Sequence, residues 1–301
     1  MSWLIIVVVA YFLIAIASVI DKYLISKRLP QPVVYTFFIG LSSGMVLLLI
    51  PFGLLKFPSL FIIFLSFISG ASYVFALFYF FSALKNNEAT KIMPYVGGFQ
   101  PIFILVLSYF FLNERLNNNQ LIAFGFLVIG TILITSHFNP VKTLREKCFL
   151  NAFIATVLFS LSYFLTKFVY NLHPFFSAFI WIRMGSFLAV LSFLIFKENQ
   201  RKIFNTLKAR EGKRNSTGFI FIFGQTCGAF GFFLVNYAIK LGSVSLTNAF
   251  QGLQYFFLLI IVLILSKKFP KIIKEDFSHK ILIQKIAAIV FIVLSLLFLS
   301  L

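Results

Sequence analysis

The stretch "ALKNNEATKIMPYVGGFQPIFILVLSYFFLNERL", residues 83–116, is apolar enough to sit in lipid, yet it carries two prolines, a double glycine and a glutamine. Inside a bilayer every backbone N–H and C=O must be satisfied by protein or by a water-filled cavity, so an interrupted polar helix is costly unless it lines something. We expect helix breaks at Pro94, Gly97, Gly98 and Pro101, with Tyr95 and Gln100 facing a path. The Glu114–Arg115 pair that follows would fix the turn into the next helix.

The whole chain supports a membrane setting. Of its 301 residues, 60% are hydrophobic and 11% charged, whereas about a quarter are charged in a soluble domain. Apolar runs of about twenty residues, enough to cross ~30 Å of hydrocarbon, recur throughout. They fall at about 2–20, 33–55, 59–84, 89–112, 119–138, 148–171, 174–196, 218–240, 243–266 and 281–300. The expected fold is an all-α integral membrane protein with ten transmembrane helices. The first run, "SWLIIVVVAYFLIAIASVI", has no basic leader and no small-residue cleavage site, so it reads as a retained helix. Residues 197–217 read as a charged loop, too short to be a domain.

The net charge of +18 has no soluble domain to hold it, which argues against nucleic acid as a partner. Nearly all Lys and Arg fall in loops after odd-numbered spans, while the even-numbered loops hold only Lys56, Arg115, Lys167 and Lys240. Basic loops stay in the cytoplasm, so both termini are expected outside. "LISKRLP" (24–30) and the 197–217 loop are basic enough to attract anionic lipid headgroups. Cys148 and Cys227 show no metal-ligand spacing, so neither a metal site nor a disulfide framework is expected. His137, His173 and His279 are far apart, and no nucleophile elbow, phosphate-binding glycine loop or Walker motif is present. No enzyme activity and no cofactor are expected.

The opening stretch has a second copy. "ALKNNEATKIMPYVGGFQ" (83–100) aligns without gaps on "AIKLGSVSLTNAFQGLQY" (238–255), pairing Lys85 with Lys240 and Gly97 with Gly252. Upstream, "DKYLISKRLPQPVVYTFF" (21–38) matches "TKFVYNLHPFFSAFI" (166–180), pairing Lys22 with Lys167 and Pro32 with Pro174. Two copies of five helices must lie in the membrane with opposite orientation. Inverted repeats of this kind place a substrate site near the midplane, where interrupted helices of both halves meet. Gly252 is accordingly a further expected helix break.

The run from Pro101 through "FLNERL" (111–116) to "NNQLIAFGFLVIGTILI" (118–134) resembles the EamA domain of the drug/metabolite transporter superfamily. Pro101, Glu114, Arg115, Leu116, Gln120, Gly125 and Gly130 fit its pattern, and "IDKYLISK" (20–27) is similar to a subgroup with Asp-Lys at that point. The resemblance covers two units, 1–138 and 148–301. The second departs from the pattern, with "LSKKFPK" (265–271) where the Glu-Arg turn would fall. What the resemblance implies is a secondary transporter of the cytoplasmic (inner) membrane, monomeric or homodimeric, with a small-molecule substrate. The substrate class it implies is amino acids, their derivatives, nucleotide-related compounds or drugs, with export of an amino acid or related metabolite by alternating access favoured. An uptake permease, a flippase-like translocator of a lipid carrier or a membrane scaffold without a solute are the alternatives.

Arg183 is the sharpest candidate along the path. It lies near mid-membrane, where an arginine costs roughly 2.5–3.5 kcal/mol on the lenient insertion scale, and no acidic residue is expected at its depth. It would attract an anionic group of a substrate, or bond helix carbonyls or a glutamine. Polar stripes at helical spacing add Gln225, Phe232, Asn236 and Lys240 on span 8, and Thr247, Asn248, Gln251, Gln254 and Tyr255 on span 9. Thr156, Ser160, Tyr163 and Lys167 form another on span 6, with a weaker one at Tyr11, Ser18 and Lys22 on span 1. Asp21 and Glu88, at membrane edges, are candidates for proton coupling.

Overall fold

The computed structural model describes residues 2–28, 31–85, 89–136, 146–208, 216–268 and 279–300. All regular structure among them is helical: α1 (Ser2–Arg28), α2 (Pro32–Ser42), α3 (Leu60–Lys85), α4 (Ala89–Phe111), α5 (Asn118–Thr135), α6 (Glu146–Leu172), α7 (Phe175–Leu191), α8 (Lys197–Lys208), α9 (Ser216–Leu241), α10 (Val244–Ala249), α11 (Gln251–Lys268) and α12 (His279–Ser300). Nine segments of the described residues are long and apolar enough to cross a membrane, and Ile283–Leu299 of α12 is a shorter apolar stretch. The two membrane-crossing segments at Pro32–Phe52 and Phe175–Ile195 are not uniform. Each begins as an α-helix and tightens into a 3-10 helix, at Ser43–Phe52 and Ser192–Ile195.

The helix pairs follow a pattern. α3 packs along α6, and α1 along α9; α4 meets α6, and α11 meets α1; α5 packs on α12. Exchanging the two halves of the chain converts four of these pairings into one another and α5–α12 into itself. Small residues let the backbones approach, the usual basis of helix contact in lipid. A Cβ on Gly185 would lie 2.6 Å from the Phe67 Cα, and one on Gly70 would run into the backbone of Ile182 and Ser186. The Ser186 hydroxyl donates to the Gly70 carbonyl at 3.1 Å across this α3–α7 crossing.

Two expectations need correction. α4 runs from Ala89 to Phe111 without interruption, with Pro94 and Pro101 inside it, so Pro94, Gly97, Gly98 and Pro101 do not break the helix. A proline removes one hydrogen bond of the ladder, and in a packed bundle neighbouring groups supply replacements. The prolines leave the Thr90 and Gly97 carbonyls without their N–H donors. Separately, the Ser160 hydroxyl donates to the Gln100 carbonyl at 3.1 Å, tying α6 to α4, and a Cβ on Gly98 would meet the Ile132 side chain at 2.6 Å. These glycines serve close packing. In the second half the helix is interrupted, between α10 and α11 at Phe250, two residues before Gly252.

The second correction concerns residues 197–208. They form the amphipathic helix α8, whose Ile203 is 1% exposed and packs with Val34, Phe37, Val74, Val190 and Phe193. The Gln200 amide donates to the Leu194 carbonyl at 2.6 Å, tying α8 to the preceding 3-10 turn.

The turn after α4 is built locally. Asn113 adopts φ 52°, the left-handed conformation that ends many helices and that Asn tolerates. Asn117 and Gln120 then form a reciprocal capping box at the start of α5, which satisfies two otherwise orphaned N–H groups.

A candidate substrate site at mid-membrane

Arg183 lies eight residues into α7, about 12 Å along the helix at 1.5 Å per residue. Its guanidinium carbon stands 3.6 Å from the centroid of the Phe232 ring and 5.5 Å from those of Tyr73 and Phe179. One N–H donates to the Ser43 hydroxyl at 3.3 Å. Among the described residues no carboxylate pairs with it, and neither a glutamine nor a backbone carbonyl takes its protons. Desolvated contacts with aromatic faces are worth about 2 kcal/mol, which offsets part of the cost of holding this charge in the membrane.

The rings around it belong to both halves of the chain. Tyr73 of α3 meets Phe159 and Tyr163 of α6 and Phe232 of α9, with centroids 5.8, 6.4 and 5.3 Å apart. Arg183 is close enough to Tyr73, Tyr170 and Tyr163 for its charge to act on each of them. Tyr73, Tyr163, Arg183 and Phe232 occupy the middles of their helices and face one another, yet each remains partly accessible. Their ring and cation contacts bring residues of α3, α6, α7 and α9 into one wall. Neither the Tyr73 nor the Tyr163 hydroxyl has a hydrogen-bond partner among the described residues.

Toward one end of the bundle the polar residues are paired. The Tyr170 hydroxyl donates to Asn236 at 2.9 Å. The Lys167 ammonium donates to the carbonyls of Ile239 and Gly242 at 2.8 and 2.7 Å, at the end of α9. Lys240, at the end of α9, reaches back to the Tyr170 carbonyl on α6. Each lysine therefore caps carbonyls of the other's helix, tying the C-terminal ends of α6 and α9 together. Glu114 accepts from Ser243, the N-cap of α10, whereas Arg115 turns away over the Tyr109 ring, 3.7 Å from its centroid. The two residues of this pair act separately rather than on one another.

A ladder joins α4 to the interrupted helix. The Gln100 amide donates to Asn248 at 3.2 Å, and Ser108 and Ser245 share a hydrogen bond of 2.8 Å. Residue numbers rise along α4 as they fall along α10, so the two run antiparallel. Tyr11 of α1 donates to the Thr247 carbonyl at 2.9 Å, three residues before the interruption, and Gln254 donates to Ser18 at 3.0 Å.

The structure thus gathers Arg183, Tyr163 and Phe232 in one place, with Asn236 and Lys167 beyond them on the same helices. Gln100, Asn248, Gln251 and Gln254 belong to the α1–α4–α10–α11 contacts. Gln225 is half-buried on α9, two turns before Phe232. Tyr95 stands apart: it packs on Phe99 and Phe149, and Phe149 lies fourteen residues before Tyr163 on α6, about 21 Å along the helix. Glu88, and the side chain of Asp21, lie outside the described residues. Tyr73, Phe159, Phe179 and Ser43 were missed in the sequence. The small-residue run "SGAS" (69–72) just before Tyr73 is the one signal that marked α3 as a closely packed helix.

The chain shares its fold with a crystal structure described as "Crystal structure of protein": 16% sequence identity, TM-score 0.67, covering 99% of this chain and 96% of that one. No curated protein matches the sequence significantly. The EamA-like transporter family matches over residues 1–136 and 147–275. With both halves of the chain matched and its helices apolar enough to span a bilayer, the protein is a multi-pass membrane transporter that belongs to the EamA-like family.

Proposed function

We propose that this protein is a secondary transporter of small organic metabolites, amino acids or compounds related to them. It works by alternating access across the cytoplasmic membrane. The observation that carries this reading is the internal wall at mid-membrane, built by Tyr73 from the first half and Tyr163, Arg183 and Phe232 from the second. An unpaired cation inside a membrane marks a substrate or ion pathway by default. α12 serves as the tenth span, and two inverted five-helix units, 1–138 and 148–301, form the wall between them. The exchange relation among helix pairs supports that plan, as two-fold-related units would generate it.

Export is the favoured direction. With the odd-numbered, lysine-rich loops in the cytoplasm, the crossed caps of Lys167 and Lys240 lie at the outer end. Those ties hold the outer end of α6 and α9 shut, the state in which an exporter loads. Opening would require the ties to exchange for water while the opposite ends of the halves close.

The test is a metabolite comparison in an intact host expressing the protein, its Arg183→Gln variant, or neither. Mass spectrometry follows intracellular and extracellular pools over time. One solute should move outward with the wild-type protein and stay in with the variant. If no solute redistributes while the wild type is folded and inserted, small-solute transport is wrong.

A further inference from the structure

We propose that the Arg183 site takes an organic monocarboxylate with an apolar or aromatic body and no positive charge. This rests on the transport reading above and narrows its substrate class. A guanidinium stacked on a ring keeps its edge free, and that edge matches a carboxylate through two parallel N–H···O bonds. Here Phe232 occupies the face, and Ser43 takes a single N–H. The hydroxyls of Tyr73 and Tyr163, both without partners among the described residues, add two further donors beside the same space. Guanidinium N–H groups and phenol O–H groups together favour an anion.

The rings of Phe159, Phe179 and Phe232 surround these donors with apolar surface. A pocket that is mostly apolar with a few convergent polar groups binds the body by burial and the charge by direct contact. One fixed cation suits one negative charge. Lys167, the next cation along α6, is engaged with the carbonyls of Ile239 and Gly242, so a phosphate-type dianion would be under-compensated. Nor is there a carboxylate beside the site, among the described residues, to receive an ammonium group. A free α-amino acid would bring a positive charge close to Arg183, where like charges repel strongly in a medium of low dielectric. The substrate related to an amino acid is therefore one whose amine is absent or neutralised.

Binding of radiolabelled phenylacetate to the purified, detergent-solubilised full chain tests this. Unlabelled phenylacetate, phenylalanine, phenethylamine and phenyl phosphate serve as competitors. Phenylacetate should displace the label at concentrations at least tenfold below phenylalanine or phenyl phosphate, and phenethylamine should not displace it. Arg183→Gln should weaken binding tenfold or more. Tyr73→Phe and Tyr163→Phe, each removing one oxygen that has no bonding partner among the described residues, should weaken it several-fold while the protein stays folded. Phenylalanine competing as well as phenylacetate, or unchanged binding by all three variants, overturns the proposal. So does the absence of phenylacetate binding to folded wild type. In any of those cases, a solute that still redistributes in the host comparison leaves transport standing and removes only the monocarboxylate assignment.

Discussion

The guanidinium carbon of Arg183 lies 3.6 Å from the centroid of the Phe232 ring, with no carboxylate beside it among the described residues. An aromatic face lowers the cost of a buried cation without neutralising it, so the charge stays available to a ligand. Replacing the ring should therefore harm both stability and function. Phe232→Leu is expected to cost about 2 kcal/mol, the size of a desolvated cation–π contact, and to weaken substrate recognition. Phe232→Tyr keeps the face and should stay close to wild type. Thermal unfolding in detergent and solute redistribution in cells check the two effects; equal behaviour of the Leu and Tyr variants would contradict the contact's role.

The α3–α7 crossing makes a separate claim about folding. Gly185→Ala places a methyl group against the Phe67 backbone, which cannot move aside as a flexible side chain can. Overpacking of this kind typically costs 1–3 kcal/mol. Gly125 is the control, because a Cβ there meets nothing within 4 Å, and alanine is the better helix former by up to about 1 kcal/mol. Gly185→Ala should lower the yield of monodisperse protein and its melting temperature, whereas Gly125→Ala should leave both unchanged or slightly raised.

The crossed caps between Lys167 and Lys240 predict a local effect on opening. Lys167→Met removes the donor that holds the Ile239 and Gly242 carbonyls. Amide hydrogen exchange should then rise several-fold at the ends of α6 and α9 and stay unchanged in the α5–α12 pair. Uniform exchange across the molecule would mean that these lysines do not tie that end.

α8 is held by one deeply buried side chain. Ile203→Asp places a charge where Ile203 is 1% exposed, so α8 should leave the bundle while the spans remain assembled. Trypsin should then cleave after Arg201 and Lys202 at least several-fold faster than in wild type. Phe204→Asp, at a residue already 52% exposed, should have little effect on cleavage.

Much of this architecture is legible in the sequence because lipid imposes simple rules. Apolar runs of fixed length mark the spans. The polar residues within them must find partners, and Gln100, Asn236 and Asn248 do. The repeated stretches 83–100 and 238–255 contain parts of α4 and α10, which meet in antiparallel sense through Gln100–Asn248 and Ser108–Ser245. The interruption was misplaced in the first half, where Pro94 and Pro101 sit within a continuous α4; in the second half the break comes at Phe250, two residues before the expected Gly252. Tyr73, Phe159, Phe179 and Ser43 escaped altogether. One tyrosine, phenylalanine or serine in a chain with 44 phenylalanines looks like any other until helices from two halves are brought together. α8 was read as a loop because its charged residues hide a single buried isoleucine.

Passage of substrate past Arg183 can be tested by the reactivity of a cysteine placed beside it. Ser43 touches Arg183, so Ser43→Cys, with Cys148 and Cys227 replaced by serine, puts a thiol on the proposed path. The reporter protein is reconstituted in oriented vesicles and treated with a small charged thiol reagent from either side. Modification from both sides, block of transport once modified, and protection by a transported solute are expected. A thiol that reacts from neither side, in a protein that still transports, would show that the path lies elsewhere.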